Sequence, residues 1–492
     1  MLMLNLTTNT MKRIISKALI SFIAISVWST VQGQSVTDSL AAYLEIAAKN
    51  NPAVLQKYNE YQAALQKVPQ VGSLPDPELS LGVFLSPMEL VSGNQVADIR
   101  LMQMFPWFGV LKNAKDEMSL MAKANFESFR DAKLQVFYDV QRTWYELQKL
   151  EQDIRIAEKN LEILRTIERL AIIKFKAVSI GESRSSSSQS SMSGSNYQSA
   201  TSASSGMGNM GGGSGNTLNT TNLPQASSMQ SGSMGSQSGG SGLSDLYRIQ
   251  IEIGELDNNI ALLKNRQTTV IARFNSYLNR PLSTNISLPS TLVAGTLAAS
   301  FMAVSDSVFA NNPMLQMLNY EKQSLEARQA MVSRMGYPMI GLGLNYSLIN
   351  KNPMSTASMN GKDMIMPMVT VTLPIYRKKY NAMQSEVKLL KAATELNFNA
   401  TANALQVEYY EALQLYQDAE RRVKLYENQS QLAQKTLDIM IKSFSASGSG
   451  LSDILRTRQQ LLDYETRKVE AITDFNTSIA WLKRLTANTQ VQ

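Results

Sequence analysis

The sequence predicts a membrane α+β protein with an internal structural duplication, in which a β-barrel shared between copies of the chain runs into long helical coiled coils. Three observations carry that prediction. The same run of elements occurs twice. Its alternating segments have the length of tilted membrane strands. Each repeat also ends in a helical hairpin of unusual length.

Each repeat opens on an Asn-Pro pair. Asn51-Pro52 precedes a helical stretch at 53–67, and Asn312-Pro313 precedes one at 314–334. Asn accepts hydrogen bonds from first-turn N–H groups, and Pro loses nothing where the N–H has no helical partner. Alternating segments follow. At 78–86, Leu79, Leu81, Val83 and Leu85 share one face. At 339–348, Ile340, Leu342, Leu344, Tyr346 and Leu348 oppose Gly341, Gly343, Asn345 and Ser347. Second alternating segments lie at 96–105 and 364–375, where Val369, Val371 and Leu373 oppose Thr370 and Thr372. A period of two with one apolar and one small or polar face means strands. Each repeat therefore carries one β-hairpin, at 78–105 and 338–375.

Pro106 and Pro374 close the hairpins, and long helices begin. Leu147, Leu150, Ile154, Ala157, Leu161 and Leu164 step by three and four, as do Leu405, Tyr409, Ala412, Tyr416, Ala419, Val423 and Tyr426. This is a coiled-coil seam. A continuous helix from Lys112 to Lys176 spans on the order of 100 Å. The returning helices open on nearly the same words, Ser241-Gly-Leu-Ser-Asp-Leu-Tyr-Arg248 and Ser449-Gly-Leu-Ser-Asp-Ile-Leu-Arg456. The repeats are 34–300 and 301–492.

Four strands cannot close a barrel, and open edges are not tolerated in lipid. About eight strands are the minimum, so the barrel must be shared. Three copies, with 4 strands per protomer, supply 12. Phe105, Trp107, Phe108, Tyr337 and Tyr376 cluster at strand ends, as in interfacial girdles. A soluble hairpin packed on its own helices is the alternative.

Composition narrows the function. The 492 residues include no Cys and no His. Disulfides, thiol catalysis, zinc fingers, iron–sulfur clusters and His-based triads are thereby excluded. No phosphate-cradling loop, metal-ligand cluster or paired catalytic carboxylates stand out, so neither an enzyme nor a cofactor is expected. Lys12, Arg13 and Lys17 precede an apolar run at 18–27 and small residues near Gly33, the pattern of a signal peptide at 1–33. A transmembrane anchor at 14–31 is the weaker alternative, its run being short and broken by serines. Without those three basic residues the formal charge falls from +7 to +4, too mild to argue for nucleic acid.

The chain resembles the TolC family of outer-membrane efflux channels. The resemblance covers nearly all of the mature sequence. It rests on the duplicated Asn-Pro starts, on Gln103-Met-Phe-Pro-Trp-Phe-Gly109 leaving the second strand, and on the Gly-x-Ser-Asp phrases at 242–245 and 450–453. It implies a homotrimer with a 12-stranded barrel in the outer membrane of a Gram-negative bacterium, in contact with outer-membrane lipid. A helical tunnel would continue into the periplasm. It further implies a passive duct docking to a periplasmic adaptor (membrane fusion) protein and an inner-membrane RND or ABC transporter. Carboxylates at the helix turns would form a cation-selective gate, matched here by Asp245 and Asp453. Arg248 and Arg456, three residues on, are expected to pair with neighbouring acids. The adaptor contact is expected at Ser447, Gly448, Gly450, Leu451 and Ser452.

The departure from the family pattern is the segment 179–242, with 22 Ser and 13 Gly among 64 positions. Such a composition buries no core and reads as a flexible insertion. Its five methionines suggest soft-metal capture, with Met207 and Met210 closest together. Yet five in 64 against 21 in 428 elsewhere is a slight enrichment, and an inert or adaptor-contacting linker is the other reading. Cargo stays open between metal ions such as Cu or Ag, drugs, and secreted protein. A pore-free periplasmic coiled coil is the remaining alternative.

Overall fold

The computed structural model describes residues 40–90, 92–185, 241–296, 311–445 and 450–487. The expected signal peptide, Met207, Met210, Ser447 and Gly448 lie outside them. In chain order the described elements are α1 (Leu40–Asn50), α2 (Pro52–Gly72), β1 (Glu78–Leu90), β2 (Gly93–Phe105), α3 (Val110–Ser185), α4 (Ser241–Tyr277), α5 (Pro313–Met335), β3 (Met339–Asn350), β4 (Met364–Thr372), α6 (Arg377–Ser445) and α7 (Leu451–Leu485). The two ends of the Ser/Gly-rich segment, 179–185 and 241–242, are helical, belonging to α3 and α4.

The Asn-Pro pairs do more than start helices. Asn51 Oδ1 accepts from the N–H of Ala53 at 3.0 Å and of Val54 at 3.4 Å, while its Nδ2 donates 2.9 Å to the carbonyl of Tyr277 at the end of α4. Asn312 repeats the arrangement. It accepts from Met314 at 2.9 Å and Leu315 at 3.4 Å, and donates 3.3 Å to the carbonyl of Leu485 at the end of α7. Both side chains are buried. One amide thus satisfies the orphan donors of a starting helix and an orphan acceptor of a finishing one. Pro52 and Pro313 occupy the first helical turn.

The cores are duplicated around these junctions. In the first, Val54, Val140, Trp144, Leu147 and Phe274 pack with Tyr43 of α1. In the second, Leu315 of α5 packs with Leu405, Tyr409 and Ala412 of α6 and Leu482 and Leu485 of α7. The first predicted seam is buried throughout, from Leu147 to Leu164. In the second, Leu405, Tyr409, Ala412 and Ala419 are buried, and Tyr416, Val423 and Tyr426 are half-buried.

The four strands form one antiparallel sheet in the order β1-β2-β3-β4. The central pair joins the two repeats, with Phe105 opposite Ile340 and Asn94 opposite Asn350. β1 runs four residues past the expected Ser86 through a bulge near Pro87, while β4 stops at Thr372 instead of Ile375. The physical reason for the early stop is Pro374, which has no N–H to give the ladder. Past β2, Gly109 adopts φ +86°, and the Arg334 guanidinium, which donates to the Phe108 carbonyl, fills the space a side chain would need. Trp107 stacks on Tyr337 at 5.3 Å.

Two compact units divide the chain, one of 1–156, 261–432 and 461–492, the other of 157–260 and 433–460. In the first, Asp153 of α3 is 8% exposed and its Oδ1 has no hydrogen-bond partner. Burial pushes its carboxyl up to about 6; Lys149 and Arg266 pull it down and Glu470 pushes it up further. A folded value above the unfolded 3.8 means the group destabilises the fold when ionised. Its stability contribution is full below the unfolded value and is lost as pH rises through about 6. Asp153→Asn is therefore expected to stabilise the protein by about 2–3 kcal/mol at pH 7.5 and by only about 1 kcal/mol at pH 4.5. Thermal denaturation at the two pH values checks this; equal gains at both would contradict it.

Candidate functional site

The duplicated phrases open α4 and α7. In α7, Leu451, Ile454 and Leu455 are buried, whereas Ser452, Asp453 and Arg456 are exposed. The helical period alone thus turns the acid to solvent. Asp453 sits in the first turn, where unpaired N–H groups carry partial positive charge. One of its carboxylate oxygens comes within 3.6 Å of where a Cβ on Gly450 would stand, so the side chain folds back over the helix start. Of the remaining expected contact residues that are described, Gly450 and Ser452 are exposed and Leu451 is a buried anchor.

In α4, Asp245 is half-buried. Burial raises its carboxyl above the ordinary aspartate range, and the nearby Arg248 and Lys174 cations draw it back down. Lys174 itself lies 4.3 Å from the ring centroid of Phe444. Arg248 and Arg456 are both exposed, and among the described residues neither forms a salt bridge.

The paired cation near these turns is one that sequence reasoning missed. Arg458 is buried, 3% exposed, and donates from Nη2 to Glu252 at 2.6 Å. The signal was present. Leu451, Ile454, Leu455 and Leu461 form the apolar stripe of α7, and Arg458 takes its i+7 position. Glu252 likewise falls on the Ile249, Leu256, Ile260 stripe of α4. The guanidinium Nε has no partner, and Nη2 also donates to the Gln459 side-chain oxygen at 3.4 Å, so Glu252 supplies the one opposing charge in contact with Arg458 among the described residues. Gln250 of α4 adds a 3.1 Å hydrogen bond to Glu168 of α3.

The sheet offers the second surface. The register places Leu79, Leu81, Val83, Ile99, Leu101, Leu342, Leu344, Val369 and Val371 on one face. Many of these are largely exposed: Val83 76%, Leu81 68% and Val369 70%. The opposite face carries Gly82, Asp98, Arg100, Gly341, Gly343, Asn345 and Thr370. It is the more crowded face, for Gly341 and Asn345 are buried. In the described sheet β1 and β4 are edges with no second neighbour. Each edge strand holds one proline, Pro87 and Pro367. Among the described residues no helix is long and apolar enough to cross a membrane.

Breaking the Glu252–Arg458 pair from the acidic side leaves a buried cation unpaired, at a cost of about 2–4 kcal/mol for Glu252→Ala. Arg458→Met removes the buried charge itself and is expected to cost less than half as much. Urea denaturation of the two variants tests the asymmetry; equal losses would contradict it.

No protein-family model and no curated protein sequence matches this chain. Solved structures do. The outer membrane protein VceC from Vibrio cholerae superposes with a TM-score of 0.65 at 11% identity, covering 91% of this chain and 95% of that one. CusC, solved in a study of folding and transmembrane channel formation, gives 0.65 at 12% identity over 93% and 95%. The outer membrane channel MtrE of Neisseria gonorrhoeae, in its open state, gives 0.64 at 14% identity over 91% and 88%. From the duplicated Asn junctions to the antiparallel four-stranded sheet and the paired long helices, this chain has the TolC-like fold of outer-membrane channel proteins.

Proposed function

We propose that the protein is the outer-membrane channel of a tripartite efflux system. Three copies join the edge strands β1 and β4 into a twelve-stranded barrel, and the helical hairpins continue it as a tunnel into the periplasm. One observation carries this reading: a sheet with an exposed apolar face and two unpaired edges is unsatisfied both in water and in lipid as a lone copy. The strands, of 9 to 13 residues, are long enough to cross a bilayer at a tilt. The fold shared with solved outer-membrane channels supports it. The duct is passive, and an inner-membrane RND or ABC transporter supplies the energy through a periplasmic adaptor.

The turns at the starts of α4 and α7 are the gate and docking region. Three copies of Asp245 and Asp453 bring six carboxylates to one opening, and converging negative charge favours cations. Arg248 and Arg456, exposed and without a salt bridge among the described residues, meet acids of a neighbouring copy. Gly450 and Ser452 present an exposed backbone to the adaptor, joined by Ser447 and Gly448, while Leu451 holds the turn in place. Arg458 and Glu252 fix α4 against α7 beneath them, so that the turns move as a unit.

Purified protein in a planar bilayer is expected to give discrete cation-selective conductance steps. Asp453→Ala should lower the cation preference by about twofold or more and weaken block by trivalent cations. Absence of any conductance would overturn the channel reading. Normal conductance with unchanged selectivity and block would overturn the role of Asp453 alone.

A further inference from the structure

The methionines of the sheet are confined to one face. Between the hairpin turns and the bulges, the register assigns 17 positions to each face. The small and polar face holds six methionines: Met102, Met104, Met339, Met364, Met366 and Met368. The apolar face holds none. At the chain's overall usage of 26 in 492, about one would fall on each face. Methionines serving as lipid-facing hydrophobes would lie with Leu and Val. These lie with Gly, Ser, Thr and Asn, on the face that becomes the barrel interior in the channel reading above, on which this inference rests.

The pairing groups them. One row across the sheet reads Glu78, Met102, Gly343, Met368, so two thioethers flank a residue with no side chain. Their Cα atoms are two strand spacings apart, about 10 Å, which two methionine side chains bridge from either side. The Met368 methyl comes within 3.6 Å of where a Cβ on Gly343 would stand, beside the Leu101 carbonyl oxygen at 3.1 Å and the Met102 Cα at 3.7 Å. One row along, Met104 Sδ lies 2.6 Å from the corresponding point over Gly341. In the next row the other way, Arg100, Asn345 and Met366 are neighbours, and Asn345 Oδ1 is buried without a hydrogen-bond partner. On β4 the series Met364, Met366, Met368 places a thioether about every 7 Å along the strand.

We propose that this face is a binding track for thiophilic monovalent cations, Cu(I) or Ag(I), with Met102 and Met368 over Gly343 as its principal site and Met104, Met366 and Met364 as steps beside it. Thioethers are soft ligands that suit these ions and bind Zn(II), Cu(II) and Mg(II) poorly. A chain with no Cys and no His has no thiolate or imidazole to compete for the ion. Glu78, opposite Met102, balances one positive charge beside neutral ligands. Several weak equivalent sites in series let an ion enter and leave, which conduction requires. The track thus names a substrate class for the duct.

The test uses the full-length protein in detergent, with Ag(I) as a redox-inert probe. Wild type is expected to retain Ag(I) through gel filtration, with an absorption-edge spectrum showing a sulfur-only shell. The triple variant Met102→Leu, Met366→Leu, Met368→Leu, which keeps side-chain volume close to constant, is expected to bind about tenfold more weakly. The variant with Leu at positions 192, 207, 210, 229 and 234 should bind like wild type. Unchanged affinity in the triple variant, or loss confined to the 179–242 variant, would overturn the track. Bilayer conductance of the same triple variant reads the channel separately: conductance without Ag(I) binding by wild type sinks the track and leaves the duct standing.

Discussion

The proposed channel rests on a sheet whose edge strands, β1 and β4, have no second neighbour among the described residues. Four strands leave two rows of backbone N–H and C=O groups without partners, and each such group costs several kcal/mol in a membrane interior. The apolar face adds residues such as Val83 and Val369, exposed by 76% and 70%. Burying that face in lipid satisfies the side chains but worsens the edges. In the proposed channel, closure with further copies satisfies both, and the antiparallel order β1-β2-β3-β4 permits it, since β4 of one copy can run antiparallel to β1 of the next.

The rest of the fold serves that sheet by holding both hairpins in one frame. The β2–β3 pairing is the single link between repeats within the sheet, and it spans residues far apart in sequence. Loop closure of that size is costly, and the duplicated junctions at Asn51 and Asn312 offset it by pinning each repeat at a helix start. Each amide joins the beginning of one helix to the end of another. Arg334, reaching from α5 to the Phe108 carbonyl, ties the second repeat to the turn that leaves β2.

Much of this was legible in the sequence because it is periodic or local. Period two marked all four strands, and steps of three and four marked the seam from Leu147 to Leu164, all of it buried. The Asn-Pro pairs announced their helices, though their second hydrogen bonds, to Tyr277 and Leu485, depend on contacts no local pattern encodes. The acids proposed for the gate, Asp245 and Asp453, stand in the duplicated words that open α4 and α7, whereas the Arg458–Glu252 pair has no such local signature. Arg458 and Glu252 hide in apolar stripes where a hydrophobic count skips the polar position. The end of β4 was misread because apolar alternation continues to Ile375 while Pro374 removes the hydrogen bond. The methionines show the same limit. They attracted attention as composition in the 179–242 segment, but their one-sided placement in the sheet emerges only once the register brings Met102 and Met368 to the same glycine.

The absence of cysteine, which removes a whole class of chemistry, makes the central claim directly measurable. Pairs of cysteines placed along the two edges, one replacing a β1 residue between Leu79 and Val83 and one a β4 residue between Ile365 and Val371, have no native thiol to compete with them. Oxidation of the full-length protein in outer membranes, resolved on a denaturing gel, then reports which edge meets which. In-register pairs are expected to give a ladder that stops at the covalent trimer. Monomers at every position, or a ladder continuing past three copies, would contradict it.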